Sequence, residues 1–167
     1  MRWREFAEEC PELAELAGDR FGRDQLVLIG TLRPDGSARV SAVELDITAG
    51  ELFIGMINKS IKALDLLRDP RVTVHSLPPG KDNPDGDLKL YGRAVEVREP
   101  QVKQYYEEAL FARIAWRPTE PYHCFAIDIT SGGFLRFDDA GEEVWRWRVG
   151  QPLRKRLIQR AEGVAAD

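Results

Sequence analysis

The stretch GTLRPDGSARVSAVELDITAGELFIGMINKSIKALDLLRDPRVTVHS, residues 30–76, decides the fold. Pro-Asp-Gly at 34–36 is typical of a tight turn between two strand-like runs, and a third run follows at 51–57, so the pattern predicts an antiparallel meander. Ser60, a residue type that begins helices, precedes a short amphipathic segment that ends at Asp69-Pro70. A fourth strand is predicted directly after it.

The flanking sequence adds more strands and several helices. Strand-like runs are found at 88–97, 122–137 and 144–149. Helices are predicted at 3–17, with a break near Pro11, at 99–114 and at 152–160. Six or seven short strands with closely spaced turns predict a mainly β fold that contains a barrel, with short helices outside it.

The length and net charge of the chain restrict the functions that it can have. The 167 residues predict one domain, with a helical segment at 1–20 and a basic helix or tail at 150–167. Lys and Arg total 24 against 28 Asp and Glu, so the net charge of −4 argues against a nucleic-acid partner. Because we find neither a signal peptide nor an apolar run near 18 residues, we expect a cytoplasmic protein without a membrane partner.

The predicted helix that begins at Ser60 is a candidate anion-binding site. Lys59 and Lys62 lie at its first turn, where a cation costs a few tenths of a kcal/mol because the helix dipole is positive there. That cost is offset where an anion meets the free amides, the hydroxyl and the ammonium together. The alternative is an ordinary capped helix with solvated lysines.

The order and spacing of these motifs resemble the pyridoxamine 5'-phosphate oxidase-like superfamily of flavin-binding split barrels. The resemblance includes the hairpin strands, the Ser-x-Lys helix start, the DPRV stop at 69–72 and LKLYGRAVEV at 88–97. It implies a six-stranded antiparallel split barrel of Greek-key type that forms a homodimer. The resemblance also implies that FMN or a deazaflavin binds in two clefts across the dimer interface.

The resemblance also implies a set of cofactor-binding residues, to which we add Lys59 from the candidate anion-binding site. In chain order these are Arg39, Val40, Ser41, Gly55, Met56, Lys59, Ser60, Lys62, Asp87, Trp147 and Arg156. Arg39, Ser60 and Lys62 match phosphate-binding positions, whereas Val40, Ser41, Gly55, Met56 and Asp87 match positions near the flavin ring. Trp147 and Arg156 match residues that reach the cofactor from the partner subunit. For Trp147, ordinary packing is the alternative.

Three departures from the oxidase pattern argue against true pyridoxamine phosphate oxidase activity. Ile61 replaces an arginine of the phosphate motif, Glu44 lies near a position where the oxidase has lysine, and Asp87 replaces a glutamine. They leave open whether FMN or a deazaflavin of the F-420 type binds.

The remaining polar residues form no recognisable catalytic constellation. We expect His75 near a strand end, and His123 and Cys124 within a strand, where a core cysteine is the favoured interpretation. A metal site is not expected with only two histidines. The leading hypothesis is an FMN-dependent oxidoreductase that transfers hydride between the flavin and a small organic substrate. The alternatives are an F-420-dependent reductase and a non-catalytic carrier of flavin or tetrapyrrole.

Overall fold

The computed structural model describes residues 1–78, 85–119, 121–138 and 141–159. Its helices are α1 (Trp3–Glu9), α2 (Pro11–Asp24), α3 (Ile61–Arg68) and α4 (Pro100–Ile114). Its strands are β1 (Leu26–Leu32), β2 (Ala38–Thr48), β3 (Glu51–Ile57), β4 (Arg71–Ser76), β5 (Asp87–Glu96), β6 (Tyr122–Asp138), β7 (Gly141–Arg148) and β8 (Arg154–Gln159).

The strands form one antiparallel sheet in the order β3-β2-β1-β4-β5-β6-β7-β8. A further antiparallel pairing of β3 with β6 closes β1–β6 into a barrel. The first part of β6, from Tyr122 to Ala126, pairs with β3, and its last part, from Ser131, pairs with β7. The predicted six-stranded antiparallel barrel is therefore confirmed, and β7 and β8 extend from it as a ribbon.

The barrel interior is filled by alternate strand residues and sealed by helices. Fully buried side chains include Ile29 of β1, Ile54 of β3 and Leu90 of β5. Phe6 of α1 and Leu66 of α3 belong to the same core cluster. Truncating any of these residues to Ala would cost about 2–5 kcal/mol of unfolding free energy.

The turn chemistry of the predicted hairpin is confirmed. Gly36 adopts a φ of +84°, and its amide donates to the Arg33 carbonyl at 2.9 Å. The Asp35 carboxylate accepts the Ser37 amide at 2.9 Å and so holds the loop between β1 and β2. In β5 the register with β6 shifts between Tyr91 and Gly92, which marks a local irregularity of the strand.

The prediction of a basic helix at 152–160 is wrong over the described residues. Arg154–Gln159 form β8, which pairs with β7 along its whole length. Lys155 lies opposite Trp145, with its ammonium 3.9 Å from the ring centroid. The exposed backbone of β7 can accept this extra strand, and that pairing overrides the weak helical pattern. The rest of the predicted tail, 160–167, lies outside the described residues.

Candidate functional site

A cavity of about 710 Å³ opens where β2 and β3 separate. The ladder between these strands joins Leu45–Thr48 to Glu51–Ile54 only. Beyond it, β2 continues along β1 and β3 continues along β6, so each presents a free backbone edge to the cavity. The cavity falls within the range of about 300–1,000 Å³ that is typical of small-molecule sites.

Helix α4 and the loop after it form the opposite wall of the cavity. Tyr106 and Leu110 are buried in a separate apolar cluster with Phe53, Tyr122 and Cys124. The chain then leaves the helix through Ala115, at a φ of +53°, and brings Trp116 to the cavity. This wall is mainly aromatic and aliphatic, which suits a flat ring system.

Arg113 fixes α4 against β2. Its guanidinium donates to both carboxylate oxygens of Asp46, at 3.1 and 3.0 Å, and to Glu44 Oε2 at 3.1 Å. The paired geometry to Asp46 sets the orientation of the guanidinium as well as its distance. Glu44 itself lines the cavity.

Ser60 and Lys62 lie together at another part of the cavity, at the start of α3. Ser60 occupies the N-cap position, yet its hydroxyl makes no capping hydrogen bond, and within the described residues its buried Oγ has no hydrogen-bond partner. Lys62 Nζ donates to the Ala42 carbonyl at 3.2 Å. A buried hydroxyl without a partner costs about 1–3 kcal/mol, so this group is available to a ligand.

Of the other predicted site residues, Gly55 and Met56 line the cavity, whereas Val40 and Lys59 do not. Gly55 lines the cavity, and the Met56 side chain is buried in the barrel core, so its backbone remains for a ligand. Val40, on the outer face of β2, is 67% exposed, and Lys59 is exposed in a left-handed conformation with φ of +57°.

Arg39 and Ser41 lie on the barrel-facing side of β2, and neither lines the cavity. Arg39 Nε donates to Asp65 Oδ2 at 2.6 Å, and Thr31 Oγ1 donates to the same oxygen at 3.1 Å. Burial raises the pKa of the Asp65 carboxyl, but the hydrogen bonds from Arg39 and Thr31 outweigh it and hold that pKa below the ordinary value. Arg39 therefore joins β2 to α3, and its contact with a phosphate stays a prediction.

Asp87, Trp147 and Arg156 lie elsewhere on the chain. Asp87 borders a second cavity of about 390 Å³ on β5, β6 and β7, with Lys89 Nζ 3.8 Å from its carboxylate. Trp147 is buried against Phe6, with ring centroids 4.9 Å apart, as the packing alternative expected. Arg156 is exposed on β8. One chain therefore does not bring these three residues to Ser60 and Lys62.

His75 and His123 each have a polar partner at Nδ1, and Cys124 is buried. His75 Nδ1 lies 2.5 Å from the Ser76 carbonyl, and His123 Nδ1 lies 3.0 Å from Glu96 Oε1. Burial raises the pKa of Cys124 to about 12, so the residue is a thiol at neutral pH and not a reactive thiolate. Across the described ranges, no group of three or more His, Cys, Asp or Glu side chains could hold a metal ion.

Sequence reasoning missed Tyr106, which lines the cavity, and Arg113, which fixes α4 beside it. The Tyr106 ring lies directly over Gly55: a Cβ at Gly55 would be 2.1 Å from Tyr106 Oη. A glycine in the interior of a strand is a known sign of such a close approach. The sequence around Arg113 does not indicate its role, because its partners Asp46 and Glu44 are 67 and 69 residues away.

Comparisons with solved structures support the fold. A pyridoxamine 5'-phosphate oxidase-related, FMN-binding protein from Nostoc punctiforme matches with a TM-score of 0.63 and 12% identity, over 90% of this chain and 97% of that one. An F-420 reductase matches with a TM-score of 0.52 and 23% identity, over 69% of this chain and 94% of that one. A heme-binding protein from Mycobacterium smegmatis matches with a TM-score of 0.62 and 13% identity, over 87% of this chain.

Some of the matched chains are much longer than this one. The present chain spans 57% of the heme-binding protein and 49% of an Agrobacterium tumefaciens protein of unknown function. No protein-family model matches the sequence, and no curated protein does. Among the described helices, none has the length and apolar character needed to cross a membrane. The chain has the split β-barrel fold that the resemblance implied, with a β7–β8 ribbon and helices added around the barrel.

Proposed function

We propose that the chain binds FMN in the large cavity and acts as a flavin-dependent oxidoreductase on a small organic substrate. The observation that carries this proposal is the start of α3. Ser60 Oγ, which has no partner among the described residues, the Lys62 ammonium and the free helix amides can all bind one phosphate there. The FMN-binding neighbour and the F-420 reductase share the fold, which supports a flavin-type cofactor.

The rest of the cavity fits the ring of such a cofactor. The β3 backbone lines the cavity at Gly55 and Met56, and Tyr106 and Leu110 supply an apolar wall for the ring. Free backbone groups on β2 and β3 can hydrogen-bond the polar edge of a flat heterocycle. When bound, FMN supplies the hydride chemistry; the chain's own residues bind its phosphate, orient the ring and exclude water.

We propose further that the functional unit is a homodimer. Val40, Ile57 and Ile61 are exposed apolar side chains beside the cavity, at 67%, 82% and 63%. Exposed apolar patches commonly mark partner surfaces. A two-fold pairing would let the group around Asp87 and Arg156 of one chain approach the cavity of the other. Sedimentation over a wide protein concentration range tests this, and a monomer that binds FMN with full affinity would contradict it.

A deazaflavin is the second candidate cofactor, and the β7–β8 ribbon favours it. Arg146 and Arg154 lie directly opposite each other, and Arg148 and Arg156 lie on the same face. Within the described residues none of these four arginines has an ion-pair partner. Like charges directly opposite one another destabilise a strand pair, so an anionic ligand with a long tail would relieve this repulsion.

Titration of FMN and coenzyme F-420 against the wild type and matched variants tests the phosphate assignment. We expect Lys62→Ala to weaken binding by about 1.5–3 kcal/mol, the range for a hydrogen bond to a charged group, and Ser60→Ala to weaken it as well. Lys59→Asn is the comparison: Lys59 lies outside the cavity and asparagine tolerates positive φ, so we expect a smaller loss of affinity than in Lys62→Ala. Equal affinities across all variants would reject the site.

A reduction experiment separates an enzyme from a carrier. Bound flavin that no nicotinamide or deazaflavin donor can reduce would indicate a carrier of flavin and not an oxidoreductase.

A further inference from the structure

We propose that Glu44 makes the substrate end of the cavity select by charge, so that it accepts neutral or cationic ring compounds and disfavours phosphorylated or carboxylated ones. This inference deepens the proposed function and rests on it. It concerns the part of the cavity between β2 and α4, away from the start of α3.

The charges around Glu44 do not cancel. Two carboxylates, Glu44 and Asp46, share the single guanidinium of Arg113. Both Asp46 oxygens are bound to Arg113, whereas Glu44 uses only Oε2, and among the described residues its Oε1 has no partner. The Glu44 side chain is 53% exposed, so that oxygen is accessible from the cavity. The cluster therefore carries a net charge of −1.

Among the residues that line the cavity, the cation is Lys62, in the first turn of α3. Lys62 is bound to the Ala42 carbonyl, and Ala42 and Glu44 are on the same face of β2, about 7 Å apart along the strand. In the described part of the chain no ion pair joins Lys62 to Glu44. Once a phosphate occupies Lys62, its ammonium charge is neutralised. The remaining space then carries only the negative charge of the Glu44 cluster.

The same space offers a ring-binding surface. Trp116 lines the cavity from the loop after α4 and is left for a substrate ring, whereas Tyr106 and Leu110 line the part assigned to the cofactor ring. An indole can stack on a flat ligand and also attracts a cation over its face. An aromatic compound with an N–H or ammonium group would thus meet a ring on one side and the Glu44 carboxylate on the other.

A matched series of three indoles tests the proposal without knowledge of the natural substrate. Tryptamine is cationic, indole is neutral and indole-3-acetate is anionic, while all share one ring. Their dissociation constants are measured by calorimetry on the FMN-loaded protein and on the apoprotein. We expect tryptamine to bind tightest and indole-3-acetate weakest, with about threefold to tenfold between the extremes at low salt. High salt should compress that difference.

Variants of Glu44 separate charge from shape. Glu44→Gln should reduce the preference to less than about twofold, and Glu44→Lys should reverse it. Glu108→Gln on the exposed side of α4 is the control and should leave the order unchanged. The same order in Glu44→Gln as in the wild type would overturn the proposal, and so would failure of all three probes to bind. If FMN does not bind but the order holds on the apoprotein, the proposed function fails while the role of Glu44 stands.

Discussion

Two arginine–carboxylate clusters lie on opposite faces of β2, and they differ in how completely the carboxylates are bound. On the barrel side, Asp65 is 1% exposed and accepts bonds from Arg39, Thr31 and Arg68. On the outer side, Arg113 binds Asp46 fully and Glu44 in part. In the inner cluster the buried Asp65 carboxylate accepts from all three donors and holds the fold together. The outer one retains a free oxygen at a cavity, which is the condition for a binding role.

The largest expected effect comes from breaking the inner cluster. Asp65→Ala leaves Arg39, Arg68 and Thr31 without their shared acceptor, so we expect unfolding free energy to fall by about 3–5 kcal/mol. Urea denaturation measures this. Asp69→Ala is the control, because it removes a neighbouring carboxylate whose partner Arg71 is exposed, and it should cost much less. Equal losses in the two variants would contradict the structural role of Asp65.

A smaller loss is expected at the floor of the outer cavity. Gly55→Ala forces a Cβ to 2.1 Å from Tyr106 Oη and 2.7 Å from Cζ, so the ring must move. We expect a cost of about 1–3 kcal/mol in stability, together with weaker FMN binding. Adding Tyr106→Leu should recover part of the stability, and a double-mutant cycle measures that coupling. Purely additive losses would show that the two residues do not press on each other.

Releasing α4 from β2 should have a milder effect. Arg113→Ala leaves Asp46 and Glu44 without their donor, and we expect a loss of about 1–2 kcal/mol. Flavin affinity should fall with it, because α4 carries the apolar wall. Arg117→Ala, which removes an arginine stacked on exposed Phe111, is the control for thermal unfolding and for FMN titration. An unchanged flavin affinity in Arg113→Ala would show that the attachment of α4 to β2 does not contribute to flavin binding.

The smallest effect is the pH dependence of the inner cluster. The pKa of Asp65 in the folded chain is below its ordinary value, so its stabilisation is complete above that ordinary value and is lost as pH falls through the folded pKa. We expect the wild type to lose stability below about pH 4, the ordinary range for aspartate, and Asp65→Asn to lose less over the same window. Parallel curves from acid titrations of the two proteins would contradict this.

The hairpin, α3 and the Ser60–Lys62 pair could be predicted because each depends on residues close together in the sequence. The meander needs only the turn at 34–36, and the start of α3 needs only Ser60 and its neighbours. The clusters on β2 could not be predicted in this way, since Arg39 meets Asp65 across 26 residues and Arg113 meets Glu44 across 69. β8 was missed because an exposed strand edge, and not local propensity, determines its conformation.

A crystal structure of the FMN complex tests the central claim most directly. We predict that the phosphate lies within hydrogen-bonding distance of Ser60 Oγ and Lys62 Nζ, with the ring between the free edge of β3 and the wall that α4 forms. Ser60 Oγ should then have the partner that the described residues do not give it. FMN bound only beside Asp87 and Arg146, with Ser60 and Lys62 free of the phosphate, would contradict the account.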